Sequence, residues 1–189
     1  NVVRWLGTKA EELEVSIFPG FAASEILYHA DGSVKGIQTG DMGIGKDGEP
    51  THNFTPGYEL HAKYTIFAEG CRGHLGKRLI SRFNLSEGKD PQHYGIGLKE
   101  LWEIDPAKHQ EGMVLHGSGW PLSETHSNGG WWLYFDENNQ VSFGMVIDLS
   151  YHNPYLSPFD ELQRLKTHPL IRNILEGGKR LSYGARALT

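Results

Sequence analysis

Between residues 94 and 148 the chain carries four closely spaced β-like segments, and this succession narrows its possible folds more than any other feature. Residues 94–104, 112–120, 131–136 and 141–148 are β-like segments rich in branched and aromatic side chains. The stretch Asp136-Glu137-Asn138-Asn139-Gln140 reads as a turn between the last two. Segments this closely spaced predict a mainly antiparallel sheet.

The flanks read differently. Val2, Val3, Leu6, Ala10 and Leu13 recur at helical spacing, so residues 2–13 predict a helix. Residues 15–18 predict a short strand closed by Pro19-Gly20. Residues 21–29 and 33–42 predict two strands joined by a hairpin at Ala30-Asp31-Gly32-Ser33. Residues 43–57 are polar, with glycines and prolines, and predict a loop. Residues 58–67 predict the next strand, and the polar stretch 84–91 predicts a boundary. Near the far end Ser157 is a candidate N-cap with Pro158 at the first helical position. Phe159, Leu162 and Leu165 form the expected inner stripe of that helix. A shorter helix follows from His168-Pro169, with Ile171, Ile174 and Leu175 facing in and Gly177-Gly178 as its stop. Residues 183–188 look like a further strand.

Residues 63–79 (KYTIFAEGCRGHLGKRL) carry the first candidate site. An apolar run with Tyr64, Ile66 and Phe67 ends at Ala68-Glu69-Gly70. A glycine-bracketed turn then feeds a helix with Leu75, Leu79 and Phe83 on one side. A helix start of this kind offers unpaired N–H groups and a positive dipole end to a phosphate. The same spacing also suits a plain strand–turn–helix connection whose glycines only satisfy sterics. Lys77, Arg78 and Arg82 read as a solvated helix face.

Residues 118–135 carry the second. Trp120, Trp131, Trp132, Tyr134 and Phe135 surround Gly129-Gly130. Glycines let a ligand approach the backbone, and aromatic walls suit a flat apolar ring such as a quinone. A glycine turn feeding a buried aromatic strand is the plainer reading of the same residues. His126 is a conceivable proton relay, but a surface loop histidine is the expectation.

Composition excludes several classes. A formal charge of −5 supplies no basic face for nucleic acid. A single cysteine, Cys71, rules out a disulfide framework and a cysteine-held cluster or zinc site within the chain; it is expected to be a small buried filler. No apolar run is long enough to span a membrane, and no signal peptide is visible. No metal site and no side-chain nucleophile or base is expected. The absent initiator methionine and the strand-like ending suggest an internal fragment.

Seven blocks carry a family resemblance: residues 15–23 (VSIFPGFAA), 31–37 (DGSVKGI), 58–75 (YELHAKYTIFAEGCRGHL), 94–102 (YGIGLKELW), 119–122 (GWPL), 153–158 (NPYLSP) and 175–188 (LEGGKRLSYGARAL). Together they resemble the middle of the electron transfer flavoprotein–ubiquinone oxidoreductases. The resemblance implies an α+β fold. Residues 1–83 would be part of an FAD-binding domain of glutathione-reductase type. Residues 84–189 would be an antiparallel-sheet ubiquinone-binding domain with flanking helices, and both would be incomplete. It implies a membrane-associated iron–sulfur flavoenzyme that takes electrons from electron transfer flavoprotein through FAD and a [4Fe–4S] cluster to ubiquinone. The location implied is the mitochondrial inner membrane or the bacterial plasma membrane, reached through segments outside this chain. The cluster cysteines would also lie outside it, and the fragment alone would be inactive. Gly129 and Gly130 match the family's quinone-binding glycine pair, although Asn128 stands where relatives carry an aromatic residue. Glu69 and Gly70 match an acidic-Gly turn near FAD, where the carboxylate is expected on ribose or as a cap on the following turn. A geranylgeranyl-reductase-like or hydroxylase-like FAD enzyme is the alternative.

Overall fold

The computed structural model describes residues 2–189. Their backbone contacts form two units: one holds residues up to 69 with 73–85, the other residues 70–72 with 86–189. Helices and antiparallel sheets together make an α+β protein.

In the first unit, helix α1 (Val2–Glu12) forms where the periodicity predicts it. Its apolar stripe is not buried, and Val2, Val3, Leu6 and Leu13 all stay exposed. The hairpin of β1 (Ala23–Tyr28) and β2 (Val34–Thr39) also forms as predicted. Asp31 closes it by accepting the Ser33 N–H at 2.9 Å and the Ser33 hydroxyl at 2.7 Å, beside left-handed Gly32 at φ 86°.

Three expectations are corrected here. Residues 15–18 are irregular, with no ladder partner. The predicted loop at 43–57 contains a second hairpin, β3 (Met42–Ile44) with β4 (Pro50–Thr55). Its strands are mostly exposed on both faces, so no apolar alternation announces them. The predicted strand at 58–67 shrinks to β5 (Glu59–His61), which pairs with β2. Tyr64 and Ile66 beyond it are 90% and 89% exposed. Composition can favour an extended chain, but a strand exists only where a neighbour accepts its hydrogen bonds.

Helix α2 (His74–Arg82) buries Leu75, whereas Leu79 is half-buried and Phe83 is exposed. Its basic residues have work within the unit: Arg78 pairs with Glu25, and the Arg82 guanidinium lies 3.8 Å from the Tyr28 ring centroid.

The second unit is one five-stranded antiparallel sheet. Its strands are β6 (Gly95–Glu103), β7 (Val114–Ser118), β8 (Gly129–Phe135), β9 (Gln140–Asp148) and β10 (Lys179–Leu188), in the order β10-β6-β9-β8-β7. The 183–188 run thus becomes part of an edge strand. The β8–β9 turn places Asn138 and Asn139 at φ 60° and 56°, the left-handed pair that a tight hairpin favours. Leu133, Phe135, Val141, Phe143, Met145 and Ile147 face one side of the sheet. Helices α3 (Pro158–Lys166) and α4 (Pro169–Leu175) cover that side with Leu162, Leu165, Ile171 and Leu175.

Ser157 caps α3 as predicted, accepting the Asp160 N–H at 3.3 Å. Phe159 does not join the inner stripe; it is 56% exposed at the rim of a groove of about 400 Å³ shared with Leu98, Tyr183 and Ala185. It overhangs the β6–β10 edge of the sheet. Buried on the helix side of β6 is Glu100, which nothing in the sequence singles out. Lys166 at 3.0 Å, Arg180 at 3.2 Å and the Trp102 indole N–H at 2.8 Å all donate to it.

Candidate functional site

Gly129 and Gly130 are not a turn, contrary to the plainer sequence reading. They are the first two residues of β8, and Gly130 lies opposite Val146 on β9 and Ser118 on β7. From this start the strand alternates. Trp131, Leu133 and Phe135 face the helices, while Trp132 and Tyr134 face the other side with His116, whose Nε2 lies 3.1 Å from the Tyr134 hydroxyl. Two further glycines make room for the indoles. A methyl group at Gly117 would sit 2.2 Å from the Trp131 ring, and one at Gly144 would sit 2.3 Å from the Trp132 ring. Each is the cross-strand partner of the tryptophan it accommodates. Sequence reasoning missed both, because only the register reveals them.

Antiparallel pairing also decides where Gly129 points its polar groups. The Asp148 N–H donates to the Asn128 carbonyl at 3.0 Å, so Asn128 and, two residues on, Gly130 exchange bonds with β9. Gly129 therefore turns its own N–H and C=O toward the β7 side. The pairing of β7 with β8 ends at Ser118, opposite Gly130, one step short of Gly129. No side chain fits at this position. A methyl group there would lie 2.2 Å from the Val146 carbonyl oxygen and 2.6 Å from a Leu122 methyl.

The residues that lead into β8 make a compact connection. After the cis Trp120-Pro121 bond, residues 122–125 form a 3-10 turn, which ends at His126 in a left-handed conformation. His126 is exposed, as a surface loop histidine should be. The Ser127 N–H donates to the Leu122 carbonyl at 3.0 Å, and Leu122 is buried. Asp148, across from Asn128, is held below the ordinary carboxylate range by the Ser150 N–H and hydroxyl, with His93 and Asn128 adding to the effect.

Glu69 and Gly70 fall in different units. The Glu69 carboxylate takes the Leu75 N–H at 3.1 Å and the Gly76 N–H at 2.7 Å, so it caps α2. The amides that an anion would have used are thus already taken from within the chain, and the turn does not fit a flavin phosphate there. Burial alone would raise the Glu69 pKa; the N–H groups of Leu75 and Gly76 outweigh it and hold the carboxyl below its ordinary range. A depressed pKa contributes stability above the carboxylate range, and the contribution is lost as pH falls through it. Glu69→Ala is expected to cost the first unit about 1 kcal/mol at neutral pH, and less in acid. Thermal melts across that range check both. Equal loss at all pH values would contradict a charged cap. Gly70, left-handed at φ 82°, has the Arg186 guanidinium 3.6 Å from where a side chain would begin.

Cys71 is partly exposed, not the buried filler expected. One cysteine cannot hold a four-iron cluster. Among the described residues no group of His, Cys, Asp or Glu is placed to hold a metal, and no helix is long and apolar enough to cross a membrane.

Against this geometry the comparisons are specific. The family described as ETF-QO, ubiquinone-binding matches residues 94–188. A probable electron transfer flavoprotein–ubiquinone oxidoreductase of Acinetobacter baylyi is 81% identical over the whole chain, which covers 33% of it. Proteins named electron transfer flavoprotein–ubiquinone oxidoreductase in Pseudomonas aeruginosa and, as the mitochondrial form, in Homo sapiens are 58% and 56% identical, again over the whole chain. The chain spans about a third of the length of these curated relatives. A triple mutant of the flavin-dependent brominase Bmp2 shares the fold, with a TM-score of 0.55 at 14% identity over 96% of this chain and 41% of that one.

Proposed function

This chain belongs to the ETF-QO ubiquinone-binding family, and on that premise we propose that residues 84–189 form the quinone-binding part of an electron transfer flavoprotein–ubiquinone oxidoreductase. In this reading the full-length protein accepts electrons from reduced electron transfer flavoprotein and delivers them to ubiquinone at a mitochondrial inner or bacterial plasma membrane. FAD and a [4Fe–4S] cluster supply the one- and two-electron chemistry, held mainly by segments outside this chain. Residues 1–83 contribute part of an FAD-binding domain of glutathione-reductase type, with Glu69 and Gly70 in the flavin neighbourhood.

The observation that carries the reading is the backbone of Gly129. Its N–H points to the side where β7 has stopped pairing. A quinone carbonyl oxygen is an acceptor and needs such a donor. Gly130 carries no side chain to hold a flat ring away from the main chain. The chain's part in the reaction is to hold and orient the quinone head group and keep its ring against the backbone.

Hydrogen exchange on the full-length protein tests this. Ubiquinone-1 at ten times its Kd is expected to slow exchange about tenfold in peptides spanning residues 119–131. Protection found only elsewhere moves the site away from the glycine pair.

A further inference from the structure

The connection between β7 and β8 is tied to the helices through one carboxylate. Glu124 receives the Trp120 indole N–H on Oε1 at 2.9 Å and the Arg164 guanidinium on Oε2. Arg164 also donates to both oxygens of Glu161 at 3.1 Å, and its guanidinium carbon lies 5.7 Å from the Trp120 ring centroid. His168 also lies beside that indole, 5.9 Å away between ring centroids. Between Trp120 and Glu124 sits Leu122, whose methyl fills the space a side chain on Gly129 would need.

We infer that Arg164 is a positioning residue for quinone: by clamping Trp120 and Glu124 to α3 it holds Leu122 against Gly129 and fixes the wall beside the Gly129 N–H. This inference rests on the quinone reading of Gly129-Gly130. Arg164 touches neither glycine and acts only through the 119–128 connection. Its side chain is 41% exposed and that of Glu124 52%, and exposed ion pairs contribute little to folding. Loosening the clamp therefore alters site geometry more than global stability. A guanidinium reaches two carboxylates at once through separate nitrogens, whereas a lysine ammonium is a single point charge on a flexible stem.

The test uses the full-length protein, with ubiquinone-1 as acceptor and electron uptake from reduced electron transfer flavoprotein as the control reaction. Arg164→Ala is expected to raise the quinone KM about threefold to tenfold, with kcat and electron uptake little changed. Glu124→Gln, which keeps the shape and removes the charge, is expected to act in the same direction. Arg164→Lys is expected to recover part of the loss. An unchanged quinone KM in both Arg164→Ala and Glu124→Gln overturns the inference, as does an equal fall in quinone reduction and electron uptake. Gly129→Ala in the same assay separates the two levels. If it lowers quinone reduction further than electron uptake while the clamp variants do not, only the positioning role fails. If it too leaves quinone reduction unchanged, the quinone reading fails with it.

Discussion

Glu100→Ala is expected to destabilise the sheet unit by about 3 kcal/mol, the largest loss from any single polar side chain here. The carboxylate is 2% exposed on β6, between Phe143 on β9 and Tyr183 on β10. Oε1 accepts from Lys166 and Arg180; Oε2 accepts from the Trp102 indole and again from Lys166. One residue thereby ties α3 and the start of β10 to the centre of the sheet. Its removal strands an ammonium that is only 17% exposed and an indole N–H. The guanidinium of Arg180 is 42% exposed and regains water, which keeps the cost at the lower end for a broken buried pair. The double variant Glu100→Leu with Lys166→Met should recover most of the loss, because it removes both buried charges. Denaturant titration followed by tryptophan fluorescence reads this unit, since Trp102, Trp120, Trp131 and Trp132 lie in it and only Trp5 does not. A loss under about 0.5 kcal/mol, ordinary for a surface change, would refute the account.

Gly129→Val is expected to reduce quinone turnover of the full-length protein by about tenfold or more, and to lower its thermal stability as well. The structure alters what such a result means. The first obstacle to a side chain here is the Val146 carbonyl oxygen, 2.2 Å from the added carbon, and the second is Leu122 at 2.6 Å. Part of the requirement for glycine is therefore internal to the sheet and independent of any ligand. Leu122→Ala can relieve the side-chain clash but not the backbone one, so it should restore only part of the stability. The quinone reading needs a deficit that survives this comparison: quinone reduction must fall further than electron uptake in the same preparation. If both reactions fall in parallel with stability, Gly129 is a packing glycine only.

How far the fold was legible follows from the range of the signals. The four β segments at 94–148, the Asp136–Gln140 turn, the Ser157 cap and the hairpin at Asp31-Gly32 rest on residues within a few positions of one another, and all formed. The failures share one cause. The 43–57 hairpin and the residues around Tyr64 depend on whether a partner strand is present, and residue type does not say so. Phe159 has the right spacing for an inner stripe but stays exposed at the rim of a groove over β6 and β10.

The candidate site divides in the same way. Gly129 and Gly130 could be named from their aromatic setting and the family blocks. Their place at the start of a strand, just past the end of β7, could not. Glu69 could be named as an acidic residue in a glycine turn, and of its two expected roles, ribose contact or cap, the structure shows the cap, with one oxygen on each of two α2 amides. Gly117 and Gly144 acquired meaning only when the register set them opposite Trp131 and Trp132, and Glu100 only when partners 66 and 80 residues away closed on it. Dihedral preference, capping and turn chemistry act over a few residues, so the sequence by itself determined the helices, the tight turns and the family. Register, burial and ion pairing are set by groups distant in the chain, so tertiary structure alone decided which way the Gly129 backbone faces and which side chains pack beside it.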